Sequence, residues 1–206
     1  MARVGLARLL ILSAVGIPFA QPSSVQAQND QCSGHQLLPK PRPEGSCLTL
    51  RLEVYPSPDK TLRAVVFPAD VELHATPDME SRVVIRGPDA KLLTSKDYSS
   101  PRGANGYYVV RASWSPDSQF FVFNMSSSGG HSPWSFPTWI YSLQKNMFIS
   151  FSDLIGGNPT TSADFSFSGP HTMTATTWEK TGSDKRIPVV VDLADAIAKM
   201  APASEK

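Results

Sequence analysis

Residues 126–137, here called the aromatic loop, hold the residue types with which this chain is best equipped to bind a partner. They supply an imidazole that titrates near neutral pH, two flat aromatic faces and two glycines that let the backbone approach a partner closely. The segment is also longer than a hairpin connection requires. The candidate binding residues are Gly129, Gly130, His131, Trp134 and Phe136.

Two interpretations of Trp134 stay open, because its serine and proline neighbours suit both a packed loop anchor and an exposed binding residue. His131 is likewise either a structural hydrogen-bonding group or a functional one. Residues 107–141 contain ten of the nineteen aromatic residues of the chain. Several of these are expected in the core instead, namely Trp114, Phe121, Phe123 and Trp139.

The motifs that usually identify an enzyme do not occur in this sequence. There is no GxSxG, HExxH, Walker or GxGxxG pattern, and no two of the four histidines stand at metal-ligand spacing. We therefore predict a protein that is not an enzyme and has no metal or cofactor. The alternative is a small secreted hydrolase or carbohydrate-active enzyme that uses the aromatic loop, which requires a carboxylate or serine beside His131.

Two aspartates stand in similar turns and suggest, at first sight, paired carboxylates for acid–base chemistry. Asp59 and Asp117 each follow a serine and a proline. Because aspartate in such a turn bonds to its own backbone, we expect each to cap its own turn, with the two held apart. A second segment, residues 99–106, here called the polar loop, is rich in serine and glycine and carries Arg102, which is either solvated or an anion-binding group.

The elements that must position these loops are predicted to be short strands, because 18 prolines disfavour long helices and Gly and Pro separate apolar runs of period two. One helix is expected at 192–200, capped by Asp192, and one helical turn at 152–155. The predicted strands are 47–54, 61–67, 81–85, 107–113, 119–124, 137–143, 147–151, 163–167, 172–177 and 187–191.

The N-terminus is predicted to be an export signal. Arg3 and Arg8 precede an apolar stretch of signal-peptide length, and small residues at 25 and 27 predict cleavage before Gln28. A membrane anchor is the alternative, although the apolar run is short for a span. We predict a signal peptide at 1–27, an irregular leader at 28–46 and a β-repeat domain at 47–206, in a periplasmic or secreted protein.

The leader contains the two cysteines of the chain, Cys32 and Cys47. An even pair in an exported chain predicts a disulfide, worth about 3 kcal/mol for a loop of this size. The formal charge is +1 for the whole chain, and removing the two signal arginines leaves 17 − 18 = −1. A nearly neutral surface excludes electrostatic binding of nucleic acid, and no apolar run after the signal predicts a membrane span.

Three turns at similar intervals indicate an internal repeat. The first corner (57–60) and the second corner (115–118) both read Ser-Pro-Asp, whereas the third corner (168–170) reads Ser-Gly-Pro. Each precedes an apolar strand, and a second apolar strand follows at 83–85, 139–141 and 189–191. A repeat of this length is one unit that buries its apolar face only against a neighbouring unit.

The segment from Trp114 to Ser118 is followed by the apolar residues 120–123 and by residues 139–143. This part of the sequence resembles a blade of the TolB-type β-propeller repeat. The first corner replaces the tryptophan by Tyr55 and Pro56, and the third corner lacks the aspartate. Three units are also fewer than propellers usually have. The resemblance implies an all-β fold of propeller-like antiparallel sheets, either an incomplete propeller or a compact sandwich. It also implies an interaction module whose partner is a protein or glycan.

Overall fold

The computed structural model describes residues 52–68, 80–101, 105–129, 134–180 and 183–200. These residues form three antiparallel sheets and two short helices, which confirms the predicted all-β class and the C-terminal helix. None of the helices in these ranges has the length and apolarity that a membrane crossing needs. The predicted signal peptide, the leader and the pairing of Cys32 with Cys47 lie outside the described residues.

Each sheet is built from strands that are consecutive in the chain. The first sheet contains β1 (Glu53–Pro56), β2 (Arg63–Pro68), β3 (Ser81–Arg86) and β4 (Leu92–Asp97) in that order. The second sheet contains β5 (Tyr107–Trp114), β6 (Phe120–Ser127), β7 (Thr138–Ser142) and β8 (Met147–Ser150), followed by α1 (Phe151–Leu154). The third sheet contains β9 (Thr160–Phe167), β10 (Thr172–Trp178) and β11 (Arg186–Asp192), followed by α2 (Leu193–Ala198).

The second sheet lies between the other two, and β6 shows this most clearly because it is buried on both faces. Phe121 and Phe123 pack with β2 and β3 of the first sheet, whereas Phe120 and Val122 pack with β9, β10 and α2. Successive strand residues point to opposite faces, so an apolar run without alternation is what a central layer requires.

A row of aromatic residues crosses the second sheet on the face toward the first sheet. Trp114 is paired with Phe121, Phe121 with Tyr141, and Tyr141 with Phe148, on four adjacent strands. The ring centroids of Trp114 and Phe121 are 5.2 Å apart. Trp114 also donates its indole N–H to the backbone carbonyl oxygen of Tyr55, at 2.8 Å. This row therefore joins the first strands of two sheets as well as the strands of its own.

The three corners occupy equivalent positions, because each joins the first and second strands of its sheet. The leading serine N–H donates to the carbonyl at the start of the next strand: Ser57 to Leu62 at 3.0 Å, Ser115 to Phe120 at 2.8 Å, and Ser168 to Thr172 at 3.0 Å. The first two corners each end on a residue with left-handed backbone, Lys60 with φ 63° and Ser118 with φ 65°.

Each aspartate caps its own turn, as predicted: Asp59 accepts the Thr61 N–H and Asp117 accepts the Gln119 N–H, both at 3.1 Å. Ser115 donates its hydroxyl to Asp117 at 2.5 Å and accepts the Phe120 N–H at 3.0 Å. In the first corner the same kind of hydroxyl donation, from Ser57, is the main reason that the pKa of Asp59 falls to about 2. The two corners themselves lie side by side, because the Asp59 N–H donates to the Ser118 hydroxyl at 3.1 Å, whereas each carboxylate is bonded within its own corner. Stacked sheets bring equivalent corners side by side.

Replacing Ser115 with alanine should lower the free energy of unfolding by about 1–3 kcal/mol, because the buried Phe120 N–H then has no acceptor. Chemical denaturation of both proteins measures this difference. Ser168→Ala is the matched control, since Ser168 has the same corner position but is exposed. Equal losses in the two variants would contradict a structural role for the Ser115 hydroxyl.

β4 is the one strand of the described residues that the sequence analysis did not predict. Leu92 and Leu93 are adjacent and the next four residues are polar, so the period of two is absent. The strand is nevertheless fixed to the second sheet by Lys96, whose ammonium nitrogen lies 3.3 Å from the centroid of the Trp139 ring. Burial lowers the pKa of Lys96. Trp139 is thus half-buried at the rim of the core and forms a cation–π contact.

Candidate functional site

The structure describes three of the five predicted binding residues of the aromatic loop, namely Gly129, Trp134 and Phe136, whereas Gly130 and His131 lie outside the described residues. Trp134 is 57% exposed, and Phe136 is half-buried. The exposure of Trp134 favours the second of the two interpretations, and its role as a binding residue stays a prediction.

The chain after Trp134 is anchored to the third sheet. Phe136 donates its N–H to the carbonyl of Thr160, at 2.9 Å, and the Thr160 hydroxyl donates back to the carbonyl of Phe136. The hydroxyls of Thr138 and Thr160 lie 2.7 Å apart, and both residues are buried. Two residues beyond Trp134, the backbone is therefore fixed by bonds to β9.

The chain before the glycines is anchored through Ser128. Its N–H donates to the carbonyl of Gly106 at 3.0 Å, and its hydroxyl donates to a carboxylate oxygen of Glu80 at 2.7 Å. Gly106 belongs to the polar loop and Glu80 immediately precedes β3. The start of the aromatic loop is thus tied to the polar loop and to the first sheet at once.

Glu80 is the residue that joins these segments, and it is only 4% exposed. Besides the Ser128 hydroxyl, its carboxylate accepts the N–H of Ser100, at 2.5 Å, and the N–H of Gly106. The Ser100 hydroxyl also lies 3.0 Å from one carboxylate oxygen. These partners lie 20 to 48 positions from Glu80 in the sequence, so this one side chain bonds to both the polar loop and the aromatic loop.

The charge of Glu80 is stabilised by these hydrogen bonds. Burial by itself raises the pKa of this carboxyl, but the bonds from Ser128, Ser100 and Gly106 outweigh burial, and the pKa lies below its ordinary value of 4.5. A carboxylate that accepts several N–H and O–H bonds is favoured over the acid, which accepts fewer. Glu80 is therefore a fixed, ionised acceptor at the base of the two loops.

Gly106 meets the carboxylate so closely that no larger residue fits there. A Cβ atom at this position would lie 2.5 Å from the Glu80 carboxyl carbon and 2.5 Å from the Tyr98 carbonyl oxygen, one a side-chain atom and the other backbone. Real Cβ atoms do not approach other atoms this closely, so the junction of Glu80 with the polar loop depends on glycine.

Sequence reasoning missed Glu80, because a single glutamate before a strand carries no local pattern. The signal that could have pointed to it is the serine and glycine content of both loops, which supplies donors that need an acceptor. Arg102 lies outside the described residues, as does His131, so the carboxylate or nucleophile that the hydrolase alternative requires beside His131 stays a prediction.

The remaining titratable side chains do not assemble a metal centre in the part of the chain that the structure describes. What the geometry provides is an exposed indole on a loop whose two ends are fixed to different sheets. Neither a protein-family model nor a curated protein matches the chain, and its resemblance to TolB-type repeats therefore stays a prediction.

Proposed function

We propose that this chain is an exported interaction module that binds a protein or glycan partner through the aromatic loop, with Trp134 as the central contact. The observation that carries the proposal is the exposure of Trp134 between two anchored ends, at Ser128 and at Phe136. Export itself follows from the predicted signal peptide.

An exposed indole two residues from an anchored position, Phe136, suits recognition for a physical reason. Tryptophan presents a large apolar face and one N–H donor, and it has few rotatable bonds to immobilise. A loop that is already anchored loses less conformational entropy when a partner binds. Interface residues with the largest contributions to binding are accordingly enriched in tryptophan.

The TolB-type resemblance supports the same function by analogy, since propeller-like repeats serve recognition more often than catalysis. The near-neutral charge agrees with a partner recognised by shape and stacking rather than by long-range attraction. Both an apolar pocket on a protein and the apolar face of a sugar ring are suitable surfaces for an exposed tryptophan.

Replacing Trp134 with alanine should reduce partner binding at least about tenfold, the loss typical of a central interface residue. The melting temperature should change by about 1 °C or less, because the side chain is exposed. The measurement is capture by the immobilised mature protein from an extract of its own compartment, quantified by mass spectrometry, with a glycan array run in parallel.

Val190→Ala is the matched control, because Val190 is 64% exposed but lies on β11 of the third sheet. This variant should bind as the unchanged protein does. The proposal would be abandoned if Trp134→Ala captured the same partners in the same amounts. A large loss of stability in that variant would instead assign Trp134 a packing role.

A further inference from the structure

His171 lies between two carboxylates that come from different elements. Its ring Nδ1 is 3.0 Å from a carboxylate oxygen of Asp117, in the second corner. Its Nε2 is 3.3 Å from a carboxylate oxygen of Asp192, at the end of β11. His171 itself lies between the third corner and β10, so one imidazole connects the second sheet, the third sheet and the start of α2.

The other oxygen of each carboxylate is already occupied. Asp117 Oδ1 accepts the hydroxyl of Ser115 and the N–H of Gln119, at 2.5 and 3.1 Å. Asp192 Oδ1 accepts the N–H of Asp195 at 3.0 Å and thereby caps α2. Both aspartates are thus oriented by their own elements, and each presents its remaining oxygen to the imidazole.

The protonation state of the imidazole decides whether both contacts are attractive. Neutral histidine has one N–H and one nitrogen lone pair, whereas the imidazolium donates from both nitrogens. In the neutral form, one ring nitrogen directs its lone pair at a carboxylate oxygen, and the two repel. Both contacts, the hydrogen bond to Asp117 and the ion pair with Asp192, are therefore attractive only when His171 is charged.

The residues around His171 are either acidic or uncharged. The charged groups in contact with the ring are Asp117 from the second corner and Asp192 from β11. The first turn of α2, which follows Asp192, carries a further carboxyl, Asp195. Phe120 lies edge-on with its ring centroid at 6.5 Å. The adjoining cleft, of about 390 Å³, is otherwise lined by uncharged residues, Gln119, Phe120, Gln144 and Ala194. His171 is 31% exposed, so solvent protons reach it.

We propose that His171 is a pH-operated clamp that holds the third sheet and α2 to the second sheet when it is protonated and releases one of its two contacts when it is neutral. Histidine changes charge between about pH 5 and about pH 8. The protonated ring keeps both contacts attractive, and the neutral ring keeps only one. This inference is independent of the partner-binding role of Trp134.

The test compares the melting temperature of the mature protein and of His171→Gln at about pH 5.5 and about pH 7.5. From the lower to the higher pH, the melting temperature of the unchanged protein should fall by about 2–4 °C more than that of His171→Gln. His131→Gln is the control for the other histidines and should keep the full dependence. Asp192→Asn keeps an acceptor for the α2 cap but removes one charge, and should weaken the dependence. Identical pH dependence in His171→Gln and the unchanged protein would overturn the proposal.

A second measurement does not depend on the stability of any variant. In the unchanged protein labelled with ¹⁵N-histidine, both ring nitrogens of His171 should carry a proton at about pH 5.5. Raising the pH to about 7.5 should shift amide signals in both the second corner and α2. Signals that move in only one of these elements, or a ring nitrogen without a proton at the acidic end, would refute the clamp.

Discussion

Replacing Glu80 with alanine should lower the free energy of unfolding by about 3 kcal/mol or more. The N–H groups of Ser100 and Gly106 lose the carboxylate that accepts them, and the hydroxyls of Ser100 and Ser128 each lose one of their partners, around a side chain that is 4% exposed. Each unsatisfied buried donor costs about 1–3 kcal/mol, and part of this cost is avoided where water enters the space left by the side chain. Chemical denaturation gives the difference directly.

Two companion variants sharpen this measurement. Glu179→Ala removes an exposed glutamate paired with Lys185 and should cost about 0.5 kcal/mol or less. Glu80→Gln keeps the size of the side chain, but its amide NH₂ group is a donor that faces other donors. Its free energy of unfolding should therefore be close to that of Glu80→Ala. A loss no larger than that of Glu179→Ala would show that the two loops do not depend on this carboxylate.

The same carboxylate makes the protein sensitive to acid. Because the pKa of Glu80 is lower in the folded chain than its ordinary value of 4.5, its contribution is present above that value and is lost as the pH falls through the lowered folded value. In Glu80→Gln this part of the acid destabilisation should be absent.

Replacing Trp114 with alanine should lower the free energy of unfolding by about 3–5 kcal/mol. The change removes a large buried ring, its contacts with Phe121 and Tyr141, and the hydrogen bond to the Tyr55 carbonyl that joins the first and second sheets. Thermal and chemical unfolding monitored by circular dichroism measure the loss.

Trp178→Ala is the matched control, because Trp178 is half-buried at the end of β10 beside the guanidinium of Arg186. It should cost about 1 kcal/mol. Trp114→Phe separates the two contributions of Trp114, since it keeps an aromatic ring but not the indole N–H. Similar losses for Trp114→Ala and Trp178→Ala would contradict the role of the aromatic row as the connection between sheets.

Strand positions followed well from the sequence where alternation or apolar runs were clear. The strands around Val83, Val122 and Val189 are present, and the helix capped by Asp192 begins where the capping residue predicts. β4 was not predicted because a tertiary contact stabilises it. Lys96 lies over the ring of Trp139, which is 43 positions further along the chain. The intrinsic strand propensity of residues 92–97 does not reveal such a tertiary contact.

The site was predictable only in part, for a related reason. Trp134 could be identified as a candidate by residue type, but its exposure and the bonds that anchor Phe136 to Thr160 are seen only in the folded chain. Glu80 and His171 acquire their roles through partners 20 to 54 residues away. A buried carboxylate or a bridged imidazole is a property of the folded arrangement, whereas the cap formed by Asp117 is local and was predicted.

The proposed recognition surface requires the two loops to be held together at Glu80, and amide hydrogen exchange in Glu80→Gln tests this most directly. The account predicts that the amides of Ser100, Gly106 and Ser128 exchange at least about tenfold faster than in the unchanged protein. The Ile140 amide, in the central sheet, should keep its rate. Unchanged exchange at all three loop amides would contradict the claim that this carboxylate holds the loops.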